Sequence, residues 1–269
     1  MYDEVIKHVI FPIAQRALVG PTVAYVNEWE CTQWLSGEEI RAQQLGKLRK
    51  MLTYCAANVP YYRESWRHSG FSPDGVKSIE DLRRLPVLDK AVLRANTKEF
   101  VADGVTERLH VARTGGSTGE PLAFPVGSAV RAASAANMVR CRRWWGIDIG
   151  DRSANFWGHS RYVEASLADR IAKALTTVKD RLLNRIMCSA YDLSDESMER
   201  YWRRIGRFQP AFLIGYATSL YVFADFLLRK GFHGKRLALK AVISTAEVLY
   251  DWQEDVIRAA FGCPVVNEY

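Results

Sequence analysis

The 269-residue sequence predicts an α/β protein: a mostly helical N-terminal region over residues 1–108, then a mixed or parallel sheet with flanking helices. Two observations carry this. In the first region apolar residues recur at helical spacing, and from Leu109 onward short apolar runs alternate with amphipathic stretches. The order strand–helix–strand–helix–strand over 211–269 requires parallel strands joined by right-handed crossovers. A compact chain of this length buries roughly 70–75% of its unfolded surface, enough for a core without staples.

The elements follow in chain order. Val5, Val9, Ile10, Ile13, Ala14 and Ala17 form an apolar stripe, broken at Pro12. Ser36 caps a helix with Glu38 and Glu39 in its first turn. Its apolar positions Ile40, Leu45, Leu48, Met51 and Leu52 run on to Ala57, and Asn58-Val59-Pro60 ends it. Ser78 starts a short helix that Pro86 stops. Leu109–Arg113 and Leu122–Val126 read as strands, Ser128–Trp145 as a helix with Trp144-Trp145 as core at its end, and Arg152–Trp157 as a strand. Arg161–Met187 reads as a basic helix. Ser194 caps a helix that puts Met198, Tyr201, Trp202 and Ile205 on one face. Strands at 211–216, 239–245 and 264–269 then alternate with helices at 219–229 and 251–261, the last closed by Gly262.

Composition is that of an ordinary soluble globular protein, 48% hydrophobic and 25% charged. No apolar run approaches the roughly 20 residues of a membrane span, and the start lacks a basic leader, so a cytoplasmic location is expected. Five scattered cysteines without a C-x-x-C pair fit reduced thiols rather than a disulfide framework or zinc site. The net charge is +7, and residues 131–185 carry eleven Lys/Arg against five acids, +6 in one stretch. That stretch fits a solvated basic face, attraction of an anionic substrate such as CoA, or an anionic membrane surface. No nucleic-acid motif accompanies the charge, so nucleic-acid binding is not expected.

The chemistry-bearing run is Thr114-Gly115-Gly116-Ser117-Thr118-Gly119-Glu120-Pro121. Three glycines allow sharp turns and close approach of N–H groups to one ligand, and the hydroxyls suit phosphate oxygens. No Gly-Lys-Ser/Thr follows at Walker A spacing, and the glycine spacing is not that of a dinucleotide fingerprint. The residues alone fit a polar β-turn as well as a phosphate loop. His8, His68, His110 and His233 lack metal-ligand spacing, and no nucleophile elbow is present.

The run resembles the phosphate-binding loop of the adenylate-forming (AMP-binding) enzymes, most closely the phenylacetate–CoA ligase and CapK branch. Ser244-Thr245-Ala246-Glu247-Val248-Leu249 resembles that family's Gly-Ala-Glu-Pro-Leu segment, and Asn267-Glu268-Tyr269 the start of its Tyr-Gly-x-Thr/Ser-Glu motif. Asn58-Val59-Pro60-Tyr61-Tyr62-Arg63 and Leu85-Pro86-Val87-Leu88-Asp89-Lys90 resemble the branch's opening. The resemblance implies an adenylation domain over 109–269, incomplete at the C-terminus, preceded by the helical region 1–108. It implies ATP-dependent activation of a carboxylic acid to an acyl-adenylate, with Mg²⁺, and transfer to CoA.

By the same resemblance Thr114, Gly115, Gly116, Ser117, Thr118 and Gly119 hold the β- and γ-phosphates, with Thr118 nearest Mg²⁺. Ala246 and Glu247 border the adenine and Tyr269 stacks on it. His159, in Trp157-Gly158-His159, faces the substrate carboxylate; a surface histidine is the alternative. Gly215-Tyr216-Ala217-Thr218-Ser219 resembles the branch's pocket segment; a strand-to-helix turn capped by Ser or Thr is the plainer reading. Where the family often has Lys after the last glycine, this chain has Glu120, whose carboxylate must point away from a triphosphate. The sequence stops at Tyr269, inside a motif. The family's ribose-binding aspartate, hinge and C-terminal lid with its lysine are then missing, and the chain alone is expected to have negligible ligase activity. The alternative is a non-catalytic or membrane-surface protein of capsular or cell-envelope polysaccharide synthesis.

Overall fold

The structure is a computed structural model that describes residues 2–10, 13, 21–113, 122–158, 177–178 and 180–268. The chain forms two compact units, one of residues 18–137 and one of residues 1–17 with 138–269.

The first unit is helical with one hairpin. Its helices are α2 (Thr22–Thr32), α3 (Gly37–Asn58), α4 (Pro60–Ser69) and α5 (Lys90–Ala95), after a short α1 (Tyr2–Val5) that belongs to the other unit. Ser36 caps α3 as expected: its hydroxyl accepts from the Glu39 N–H at 3.3 Å while Glu39 accepts from the Ser36 N–H at 2.8 Å. Val59 ends α3 in extended conformation, and Pro60 opens α4 at a position that needs no donor. Leu52, Trp66, Phe71 and Val76 form this unit's core, with Leu45 and Leu48 of α3 packed against it. Strands β1 (His110–Arg113) and β2 (Ala123–Val126) pair antiparallel, with Arg113 opposite Ala123. They flank residues 114–121, which lie outside the described residues. Glu107 holds the start of α6 (Ser128–Arg143), accepting from the Ser128 hydroxyl at 2.7 Å.

The second unit is a five-stranded parallel sheet. Its strands are β3 (Ser153–Trp157), β4 (Arg185–Ser189), β5 (Phe212–Tyr216), β6 (Ala241–Thr245) and β7 (Val265–Glu268), in the order β4-β3-β5-β6-β7. Helices α7 (Asp195–Phe208), α8 (Ala217–Arg229) and α9 (Asp251–Phe261) cover one face. There Ala154, Phe156, Leu213 and Val242 of the sheet meet Met198 and Ile205 of α7, Phe223 and Phe226 of α8, and Ile257 of α9. On the other face Phe212, Ile214, Ala241 and Ile243 gather around Ile147. Ser194 caps α7 and Gly262, at φ +66°, closes α9. Cys188 and Cys263 lie in the core, and burial pushes their thiols up to about 12 and about 11. None of the five cysteines forms a disulfide.

Three expectations are corrected. Arg185–Ser189, read as the end of a basic helix, is edge strand β4; residues 177–178 and 180–182 are helical, and 159–176 lie outside the described residues. Ile186 and Cys188 are buried while Arg185 and Met187 are half-buried, an alternation that suits a strand. Trp144 and Trp145 are exposed rather than core, with the Arg140 guanidinium 5.3 Å from the Trp144 ring. In the N-terminal stripe Val5, Val9 and Ile13 are exposed and Ile6, outside the stripe, is buried; Ala14 and Ala17 lie outside the described residues. The π-helical turn Ile6–Ile10 is wider than 3.6 residues and breaks the expected phase.

Candidate functional site

Because all neighbouring strands of the large sheet are parallel, their carboxyl ends share one edge. The register aligns Trp157 with Ser189, Tyr216 with Thr245, and Thr245 with Glu268. Gly158, Ala217, Ala246 and Glu247 therefore leave the sheet on the side where open α/β folds bind ligands. Ala246 and Glu247 follow β6, beside the central strand β5.

The backbone at the centre is constrained. Gly215 of β5 packs against Phe156 of β3 so tightly that an added Cβ would lie 2.6 Å from the Phe156 Cβ and 2.8 Å from its carbonyl oxygen. Glycine is required there to let two central strands approach. Ala246, directly after β6, has φ +64°, the left-handed region that a residue with a Cβ avoids. Glu247 accepts a hydrogen bond from the Thr218 N–H at 2.9 Å. Thr218 is the second residue of α8, so this carboxylate satisfies an orphan donor at the helix N-terminus and meets its positive dipole end. Neither hydroxyl of the Thr218-Ser219 pair caps the helix: Tyr216 occupies the N-cap without a side-chain bond, and the Ser219 hydroxyl donates to the Tyr216 carbonyl at 2.9 Å.

Aromatic rings line the neighbouring part of the edge. Trp157 stacks on Tyr216 with centroids 5.0 Å apart. A Cβ on Gly158 would meet the Tyr191 ring at 2.5 Å, so Tyr191 lies over this glycine. Tyr191 follows β4, and its N–H donates to the Ser189 hydroxyl at 3.2 Å. Burial pushes the Tyr216 phenol above its ordinary value, Tyr191 and Glu247 add to this, and a backbone hydrogen bond from Gly158 opposes it. The sequence reading, which runs a helix to Met187, does not bring Tyr191 to the site; the period-2 alternation over Arg185–Ser189 is the signal that would place it after a strand.

At the edge's far end Arg142 of α6 grips Glu268 with two bonds, Nε to Oε1 at 3.2 Å and Nη2 to Oε2 at 2.9 Å. The Thr245 hydroxyl donates to the Glu268 carbonyl at 3.1 Å. These bonds fix the strand that leads to Tyr269. Tyr269 itself, His159, and Thr114, Gly115, Gly116, Ser117, Thr118 and Gly119 lie outside the described residues. Of the expected site, the structure therefore brings Ala246 and Glu247 to one edge with the pocket segment at Tyr216. Among the described residues no three His, Cys, Asp or Glu cluster as metal ligands.

No protein-family model matches the sequence. CapK of Staphylococcus aureus is 24% identical over 223 residues, 83% of this chain and 48% of that protein. A phenylacetate–coenzyme A ligase of Pseudomonas putida is 27% identical over 261 residues, 95% of this chain and 54% of that protein. The crystal structure of an open conformation of 2-hydroxyisobutyryl-CoA ligase, in complex with 2-HIB-AMP and CoA, matches with a TM-score of 0.66 at 23% identity, over 87% of this chain and 50% of that one. The chain thus spans about half the length of the relatives it matches. No helix among the described residues is long and apolar enough to cross a membrane. In sequence the chain is a homologue of CapK and the phenylacetate–coenzyme A ligases, and in fold it matches an adenylate-forming CoA ligase.

Proposed function

We propose that this chain is the nucleotide- and acid-binding part of an ATP-dependent acid–CoA ligase. In the complete reaction a substrate carboxylate oxygen attacks the α-phosphorus of ATP, the bond to pyrophosphate breaks, and an acyl-adenylate forms. The CoA thiol then attacks the acyl carbon and AMP leaves. Residues 109–269 form the adenylation region and 1–108 its helical preface. Thr114–Gly119 hold the phosphates, Thr118 standing nearest Mg²⁺; Ala246, Glu247 and Tyr269 border the adenine; His159 faces the acid. The protein acts in the cytoplasm on a small carboxylic acid.

The observation that carries this reading is the similarity to a phenylacetate–CoA ligase along 95% of the chain. The position of Ala246 and Glu247 at the carboxyl edge of the parallel sheet agrees with it. Calorimetry with AMP and Mg²⁺ tests it. The folded protein binds AMP, and Gly116→Val and Thr118→Ala weaken ATP more than AMP, because they touch the phosphates AMP lacks. A folded protein that binds neither nucleotide overturns the assignment.

The similarity to CapK, with +6 over residues 131–185, favours a second reading: a non-catalytic protein at an anionic membrane surface in capsular or cell-envelope polysaccharide synthesis. It requires binding to anionic but not neutral vesicles, lost at high salt. AMP binding without vesicle binding removes it.

A further inference from the structure

We infer that Glu247 is a positioning residue: its carboxylate, held on the first turn of α8, keeps the loop after β6 in the shape that receives the adenine. The inference rests on the proposed assignment of that loop to the nucleotide. Helix α8 has no cap of its own, because Tyr216 contributes no side-chain bond and the Ser219 hydroxyl is spent on the Tyr216 carbonyl. The cap arrives from 29 residues further along the chain, where Glu247 accepts from the Thr218 N–H at 2.9 Å.

The residue between the strand and this cap is Ala246, with φ +64°. A left-handed alanine persists only where the surroundings over-determine it. On its N-terminal side Thr245 is fixed by pairing with Tyr216 and Glu268 and by its hydroxyl bond to the Glu268 carbonyl. On its C-terminal side the fixed point is Glu247 on α8. Releasing the carboxylate frees Ala246 to relax into the ordinary right-handed or extended region, which turns the loop backbone away from its present course.

Two consequences follow for the site. The Glu247 side chain acts on the nucleotide through the backbone of its own loop, not by contact with base or ribose. The Thr218 N–H of α8 is also not offered to a phosphate or a substrate carboxylate, because a protein carboxylate already holds it.

The test compares the full 269-residue wild type with Glu247→Gln and Glu247→Ala by AMP calorimetry. It also follows hydrogen exchange of the Thr218 amide by NMR without ligand. The Ala variant is expected to lose Thr218 protection and to bind AMP about tenfold more weakly, the size of one charge-assisted hydrogen bond. The Gln variant keeps an acceptor oxygen and recovers most of both. Thermal melts within a few degrees of wild type establish that the variants are folded. Loss of Thr218 protection with unchanged AMP affinity overturns the positioning role while the nucleotide reading stands. Weaker AMP binding with Thr218 still protected overturns it as well, and places Glu247 in direct contact with the nucleotide. Wild type that binds no AMP fails the functional reading, and the positioning role falls with it; the Thr218 amide then reports a structural cap only.

Discussion

Replacing Gly215 by alanine should damage the sheet at its centre. The new methyl carbon would lie 2.6 Å from the Phe156 Cβ, 2.8 Å from the Phe156 carbonyl oxygen and 3.3 Å from its Cα. Carbon atoms pack best at about 3.5–4.0 Å, so each contact is repulsive. Two of the three atoms are backbone of the neighbouring strand, and no side-chain rotation relieves them. Phe156 cannot retreat, because it is fully buried and its ring sits 4.8 Å from that of Phe223. Overpacking of a core costs about 1–3 kcal/mol, and a backbone clash lies at the upper end. Alanine recovers about 0.4–1 kcal/mol by restricting the unfolded chain. The balance is a loss of about 2 kcal/mol, or a fall in melting temperature of roughly 4–8 °C for a unit of this size. Thermal melts followed by tryptophan fluorescence measure it, since Trp157 and Trp202 report on the same unit. Gly206 in α7 is the control: nothing lies within 4 Å of its Cβ position, so Gly206→Ala should stabilise by up to about 1 kcal/mol through helix propensity. A Gly215→Ala protein that melts at or above wild type refutes the close-approach argument.

Ala246→Gly should stabilise the protein by about 0.5–1 kcal/mol in urea unfolding. The left-handed cost of about 1–2 kcal/mol disappears, and the added freedom of the unfolded chain offsets part of it. Asp148 contributes to acid stability. Burial works against its ionisation, but hydrogen bonds from Lys7, Arg143 and the Ile149 N–H, with the Arg143 charge, together outweigh burial and hold its carboxyl below the ordinary value. A folded pKa below the unfolded one gives stability that is complete above the ordinary carboxylate range and is lost as pH falls through the folded value. Asp148→Asn should therefore be less stable than wild type at pH 7, and the gap should narrow as the pH is lowered below the ordinary carboxylate range. Equal stability differences at pH 7 and at the lowered pH would exclude this linkage.

Local signals were readable where the chemistry is local. Ser36 and Ser194 bond to N–H groups three residues away, and Gly262 takes the positive φ that ends a helix. The apolar runs at 211–216 and 239–245 became the central strands because both their faces are buried. Strand β4 is hidden in the sequence because the basic, leucine-containing run of residue types before it carries a helical pattern, and five residues of alternation are a weak period-2 signal against that pattern. Trp144 and Trp145 misled because hydrophobicity states what burial would gain, not whether a surface is available to cover the rings.

At the site the division is the same. The residue types at 244–249 and 267–269, and their order along the chain, mark the lineage without any coordinates. That Glu247 caps α8 across 29 residues, that Arg142 grips Glu268 across 126, and that Gly215 must be glycine because of Phe156 belong to the folded arrangement alone. Capping and strand formation depend on neighbours a few bonds apart, which the chain carries with it. Pairings between distant residues depend on strand order and register, which exist only once the parallel sheet has assembled.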